Sequence, residues 1–290
     1  MDVAGLSMDW IVPGGADVHL SLYIPIAVFA MLMTAVSKGG FGGGAGVVST
    51  PLLMTQLPAA AAAGMWLPLL IACDVCSLRA YPRQGNWRAI ALLAPWTLAG
   101  IIVGRSLFGF IDGRWIKLIV GFLGVAFIVL HAVRRWEQRY TEHRDRPWRP
   151  HWYQALPFGL GAGVSTALAH AAGGIVTMFL LPQKLEPRQF VGTCVRYYLI
   201  FNSVKVPIFL AKVPIFLGGA DPAITTDPLI TTATLKAGLW LVPLAPLGVW
   251  FGAWLNRRLA AGTFNVLIYV ILAVTSVGLV VQSLQHVLAG

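Results

Sequence analysis

Two stretches of the chain bring together residue types that can hold an anion. In the first, Ser37-Lys-Gly-Gly-Phe-Gly-Gly-Gly44, five of the seven residues from Lys38 to Gly44 are glycine. Glycine costs about 1 kcal/mol relative to alanine in a helix, so this run predicts a break. A helix restarting near Gly43 leaves its first N–H groups without intrahelical acceptors and with partial positive charge. The second stretch, His170-Ala-Ala-Gly-Gly174, predicts the same at Ala172, Gly173 and Gly174. Helix N-termini that face each other make an anion site.

Side chains near the breaks extend the candidate set. The first break offers Ser37, Lys38, Gly39, Gly40, Phe41, Gly42, Gly43 and Gly44. The second offers Ser165, Thr166, His170, Gly173 and Gly174, and the next span adds Arg196 and Asn202. Lys38 can complement an anion, and the hydroxyls of Ser37, Ser165 and Thr166 can donate to it. Arg196 can make a bidentate contact with an oxyanion. His170 and Asp74 are the groups that could carry a coupling proton. Plainer readings stand beside these: glycines for close packing, Lys38 and Arg196 snorkelling, His170 as a packed core group, Asp74 in a structural pair. Arg105 and Lys205 lie near predicted span ends and read as snorkelling side chains.

The elements that position these residues follow from composition. The chain has 290 residues, 57% hydrophobic and only 11% charged. A soluble domain could not hide that much apolar surface. This excludes a soluble enzyme, a nucleic-acid-binding domain and a disordered chain. Spans of about 20 apolar residues are predicted at 18–37, 59–78, 89–111, 116–133, 153–170, 190–212, 235–255 and 264–285. Two segments, 44–57 and 173–182, are too short to cross comfortably. Each follows a break, and whether they span or re-enter stays open.

The net charge of +10 reads as topology. The tail carries Asp2, Asp9 and Asp17 without a basic residue, which argues against a signal peptide and places it outside. With each broken pair counted as a hairpin, the basic segments 79–88, 134–151, 183–189 and Asn256-Arg257-Arg258 all fall inside, and 218–234 falls outside. That obeys the positive-inside rule and leaves both termini extracytoplasmic.

The chain also repeats itself. Ser37, Gly46, Val48, Leu52, Leu53, Leu57 and Gly64 match Ser165, Gly174, Val176, Leu180, Leu181, Leu185 and Gly192, 128 positions on, and Asp74 falls opposite Asn202. Leu93, Pro95, Gly100, Gly104 and Leu107 match Leu241, Pro243, Gly248, Gly252 and Leu255, 148 positions on. Five segments per copy is an odd number, so the second copy enters from the opposite face. The expected fold class is therefore an all-α polytopic membrane protein of two inverted-topology repeats, about five helical segments each, each with a glycine-broken hairpin. The expected organisation is an extracytoplasmic tail (1–17), a first repeat (18–133), a cytoplasmic basic loop (134–152) and a second repeat (153–290). One repeat rocking against the other would alternate access to a site where the hairpin tips meet.

Other chemistries find little support. The phosphate-loop pattern Gly-x-x-x-x-Gly-Lys-Ser/Thr is absent. No paired carboxylates or metal-ligand cluster occur, and Ser165 with His170 lacks a third partner for hydrolysis. No cofactor and no metal is implied. Cys73, Cys76 and Cys194 read as packing residues.

The stretches Ser-Lys-Gly-Gly-Phe-Gly-Gly-Gly-Ala-Gly (37–46) and Ala-His-Ala-Ala-Gly-Gly-Ile-Val (169–176) each run into a Leu-Leu pair and a short loop. In this the chain resembles the sulfite exporter TauE/SafE family, also called the toluene-sulfonate uptake permeases, over about residues 20–285. The family's second motif is usually richer in glycine, where this chain has Ala169, His170, Ala171 and Ala172. The resemblance implies a non-enzymatic, multi-pass protein of a bacterial inner membrane. It also implies a small sulfur-containing anion as partner: sulfite, thiosulfate, sulfoacetate or a sulfonate, in either direction. Lipid is the other expected partner, nucleic acid is not, and homo-oligomerisation is left open. A carrier of another small organic anion, or a membrane scaffold or assembly factor, remains the alternative.

Overall fold

The structure, a computed structural model, describes residues 11–13, 18–43, 46–110, 115–122, 149–211, 213–214 and 225–256, with 125, 126, 129, 133 and 281 as single positions. The acidic tail up to residue 10, Gly44, most of the basic loop and all but one position of the predicted last span lie outside these.

The described chain is helical except for a two-residue antiparallel ladder, Val213–Pro214 with Thr225–Thr226. In order come α1 (Leu20–Gly40), α2 (Gly46–Met54), α3 (Ala59–Ala80), α4 (Trp87–Phe110), a helical stretch at 115–122, α5 (Trp152–Ala169), α6 (Ala172–Leu180), α7 (Pro187–Leu210), α8 (Thr232–Leu239) and α9 (Leu244–Asn256). At 1.5 Å per residue, the nine-residue α2 and α6 are about 13 Å long. Neither can cross a hydrocarbon core of about 30 Å alone.

Leu20–Gly40, Ala59–Ala80 and Trp87–Phe108 are long and apolar enough to cross a membrane, and α8 with α9, bent by 54°, make a fourth among the described residues if taken as one span. α5 and α7 are less apolar. α5 opens on Trp152, Tyr153 and Gln154 and carries three glycines; α7 holds Arg188, Arg196, Asn202 and Lys205. Large apolar side chains face outward, among them Trp250, Leu239, Leu247 and Leu22. Lipid is the solvent that suits them, and the protein is a multi-pass, helical membrane protein.

Two expectations about elements are corrected. α1 runs through Gly39 and Gly40 before it breaks, three residues past its predicted end. Gly39 serves packing rather than the break: a Cβ there would lie 2.2 Å from the Val249 carbonyl oxygen of α9. The seventh predicted span, 235–255, is two helices with the bend at 240–243. Pro243 sits at that bend, whereas its sequence counterpart Pro95 is accommodated inside α4.

Glycines set the two closest helix seams. α4 packs along α5, and α1 along α9. A Cβ on Gly100 would meet Leu160 O, Gly163 and Val164; one on Gly248 would meet Leu32 O, Ala35 and Val36. The contacted residues are again 128 positions apart. Two large apolar cores result, and two smaller clusters join α3 and its C-terminal end to α7: Ala63 and Leu67 with Phe209, and Tyr81 with Val191 and Val195. One large core joins α1, α2 and α3 to α8 and α9 through Met31, Leu53, Trp66, Ala237 and Val249, and takes in Ile116 and Val120 of the 115–122 stretch and Leu168 and Ala169 at the end of α5. The other joins α4, α5, α6 and α7 through Leu93, Ala162, Phe179 and Tyr197.

Candidate functional site

Both breaks are built alike. After α1 the chain turns through Gly42 (φ 69°) and Gly43 (φ 79°), and Gly43 N–H donates to Ser37 O at 3.1 Å. After α5 it turns through His170 (φ 53°), and Ala171 N–H donates to Ser165 O at 3.3 Å. Each is a helix stop closed by a hydrogen bond between residues six positions apart, around a left-handed residue, a wider relative of the usual left-handed helix cap. Glycine takes that conformation freely; a residue with a Cβ pays about 1–2 kcal/mol. His170 therefore occupies a glycine position at a cost, which its side chain must offset.

The imidazole does so at the centre of a buried polar cluster. Its Nε2 lies 2.9 Å from Ala63 O on α3, and its Nδ1 lies 2.8 Å from Lys205 Nζ on α7. An ammonium can only donate and a carbonyl can only accept. Opposite a protonated Lys205 the ring is the neutral tautomer with its proton on Nε2. Lys205 also donates to Thr166 O at 3.1 Å and to Thr166 Oγ1 at 2.9 Å. Its side chain has no solvent exposure.

A second set lies against the first. Lys38 Nζ donates to Asp74 Oδ1 at 2.5 Å and to Leu70 O at 3.2 Å, and stands 5.4 Å from the Tyr198 ring centroid. Asn202 donates its amide to the other Asp74 oxygen at 2.7 Å. Lys38 and Asp74 thus form a buried ion pair. Counted as two ammonium groups, one carboxylate and a neutral imidazole, this buried cluster would carry one net positive charge. Among the described residues, no carboxylate lies within ion-pair distance of Lys205.

The predicted residues divide accordingly. Lys38, Asp74, Thr166, His170 and Asn202 join the cluster. Ser37 and Ser165 are buried and supply the carbonyls that close the two breaks. Gly39, Gly40 and Phe41 carry α1 to its end, and Gly42 and Gly43 pack on α7: a Cβ on Gly43 would lie 2.6 Å from the Tyr198 ring. Gly173 and Gly174 are buried in the first turn of α6, which packs on α2. The Gly43 N–H expected to face a ligand is instead bonded to Ser37 O. Arg196 stands apart from the cluster. Its guanidinium donates to the carbonyls of Tyr81, Gln84 and Gly192.

Sequence reasoning missed Lys205 and Tyr198. Lys205 read as a side chain long enough to reach the membrane surface, yet it follows Asn202 by one turn on α7 and points inward with it. That one-turn spacing to a mid-span asparagine was the available signal. Tyr198 precedes Asn202 by four residues and so shares its face.

The fold is a helical membrane bundle with two glycine- or histidine-turned breaks and a buried polar cluster between them. A model of the sulfite exporter TauE/SafE family matches residues 27–279, nearly the whole chain, and the chain belongs to that family of membrane transporters. No curated protein and no solved structure matches it.

Proposed function

We propose that this protein is a secondary transporter of a small sulfur oxyanion, sulfite or an organosulfonate, bound at the Lys38–Lys205 cluster with alternating access. The observation that carries this is Lys205: a fully buried ammonium hydrogen-bonded to Thr166 and His170 and 5.9 Å from the Phe209 ring centroid, with no carboxylate at ion-pair distance among the described residues. An uncompensated buried charge costs several kcal/mol. A bound anion offsets that cost, and sulfite or sulfonate oxygens suit an ammonium flanked by a hydroxyl. Thr166, Asn202, Ser37 and Ser165, and the first turns after both breaks, are the proposed surroundings of the anion.

The inverted repeat belongs to the same reading. Asp74 and Asn202 are sequence equivalents, and they hydrogen-bond to each other. Two equivalent residues that touch must lie at the axis relating the repeats. The matched glycine seams of α4 on α5 and α1 on α9 support the same axis. On this reading both termini are extracytoplasmic, the basic loops face the cytoplasm of a bacterial inner membrane, and the domain boundaries are those of the repeats.

Coupling follows from competition. An anion reaches Lys38 only by displacing Asp74. The released carboxylate, left with Asn202 in a buried setting, is neutralised by a proton. Asp74 is then the coupling group, and His170 holds Lys205 in place.

A thermal-shift panel of the purified protein in detergent tests the reading. It would hold sulfite, thiosulfate, sulfoacetate, toluenesulfonate, sulfate and matched carboxylates at constant ionic strength. One sulfur oxyanion at about 100 times its dissociation constant should add roughly 2.7 kcal/mol of stability. Stabilisation by a carboxylate and by no sulfur oxyanion would overturn it.

A further inference from the structure

The two apolar cores do not follow the two sequence halves. α4 belongs to the first half of the chain but packs with α5, α6 and α7. α8 and α9 belong to the second half but pack with α1, α2 and α3. The helical stretch at 115–122 also joins the first core, through Ile116 and Val120, so the chain passes between the two packed bodies on either side of that stretch as well as at the α3–α4 loop and between α7 and α8.

The α3–α4 and α7–α8 crossings are each held by an arginine of the same body. Arg196 on α7 donates to Tyr81 O at 3.2 Å and also to Gln84 O, and a Cβ on Gly85 would strike its side chain at 2.8 Å. Asn86 N–H, in the same loop, donates to Thr193 Oγ1 of α7 at 2.8 Å. At the other crossing Arg105 on α4, fully buried, donates to Asp227 O at 2.7 Å and Ala211 O at 3.4 Å. Two residues past Asp227 the chain reaches α3, where a Cβ on Gly64 would lie 1.8 Å from Leu229 O. The polar cluster lies between the bodies: Lys38 and Asp74 on one, Thr166, His170, Asn202 and Lys205 on the other.

We infer that Arg105 and Arg196 are positioning residues for transport. They pin the α3–α4 and α7–α8 crossings to the α4–α7 body, so that the moving units are α1–α3 with α8–α9 against α4–α7, not one repeat against the other. This rests on the transport reading above and adds which parts move and what they pivot on. A guanidinium suits the role because its fixed fork donates to several backbone carbonyls at once. Neither arginine contacts the anion, so each acts through the loop that it holds.

Two measurements on the full-length protein test this. The first places spin-label pairs on exposed positions, in lipid and with the native cysteines replaced by alanine. Phe29 on α1 paired with Trp250 on α9 lies within one proposed body and across the repeats. Phe29 paired with Leu98 on α4 lies within one repeat and across the bodies. A narrow distance distribution for the first pair and a broad or two-peaked one for the second is expected, with or without sulfite. The reverse pattern, or two narrow distributions, would overturn the proposal. The second measures sulfite flux in vesicles for Arg196→Gln and Arg105→Gln. Turnover should fall about tenfold or more while KM stays within about twofold, with partial rescue by lysine at either position. A raised KM at unchanged turnover would make the arginine an anion ligand, and no effect would make it idle; either result contradicts the proposal. The spin-label measurement needs neither arginine variant, and the thermal-shift panel reports separately on whether sulfite binds.

Discussion

Lys38, Asp74 and Lys205 show how differently three buried charges behave. Lys38 and Asp74 satisfy each other, so removing one strands the other. Lys38→Met should cost about 3–5 kcal/mol by leaving a buried carboxylate. Lys38→Met with Asp74→Leu should recover most of that loss in thermal unfolding while still failing to transport. Lys205 is the opposite case. Its ammonium has only neutral partners, so Lys205→Met should hold or raise the midpoint of the ligand-free protein and abolish stabilisation by sulfite. His170 adds a test of strain. His170→Gly removes a left-handed side-chain penalty of about 1–2 kcal/mol but also the group that orients Lys205. Flux should therefore fall in that variant although its backbone is relaxed; wild-type flux would show that the imidazole has no part in transport. The sequence identified His170, Asp74 and Asn202 because polar residues inside a span need a reason. It could not reveal that Asp74 pairs with Lys38 across 36 positions, because pairing depends on which helices cross.

At the scale of helices, glycines do two separate jobs, and spacing alone did not separate them. Gly42 and Gly43 turn the chain; Gly39, Gly100, Gly163 and Gly252 let another backbone approach. The glycine run announced a break, and the structure has one, but α1 reaches Gly40, and Gly39 serves the seam with α9, which leaves no room for a side chain there. The same contrast predicts mutant stability within one helix. Gly161→Ala on α5 would meet only the Ile175 Cδ1 atom at 3.5 Å, so it should stabilise by roughly 0.5–1 kcal/mol through helix propensity. Gly163→Ala, two residues on, would place its Cβ 2.3 Å from Thr97 O and should destabilise. Thermal unfolding of the two variants side by side checks the α4–α5 seam; equal midpoints would contradict it. The bend between α8 and α9 was not legible, since a continuous apolar segment reads as one span whether or not Pro243 interrupts it.

For the whole molecule, composition alone placed the chain in a membrane, and the two glycine-rich motifs pointed to its family. What composition could not supply is which segments pack together, because every apolar helix face is equally acceptable to lipid. Small-residue seams and the polar cluster make that choice instead. The topology is open to direct test: cysteines introduced at the N-terminus and between α7 and α8 should react with an impermeant reagent in intact cells, and those beside Arg83 and Lys184 should not. The opposite labelling would reverse the proposed orientation. The central claim is that the buried cluster around Lys205 carries a sulfur oxyanion, and sulfite uptake into proteoliposomes tests it most directly. Radiolabelled sulfite should accumulate with the native chain, should be competed by unlabelled sulfite but not by a matched carboxylate, and should be absent with a folded Lys205→Met chain. Equal uptake by the native and Lys205→Met proteins would contradict the account.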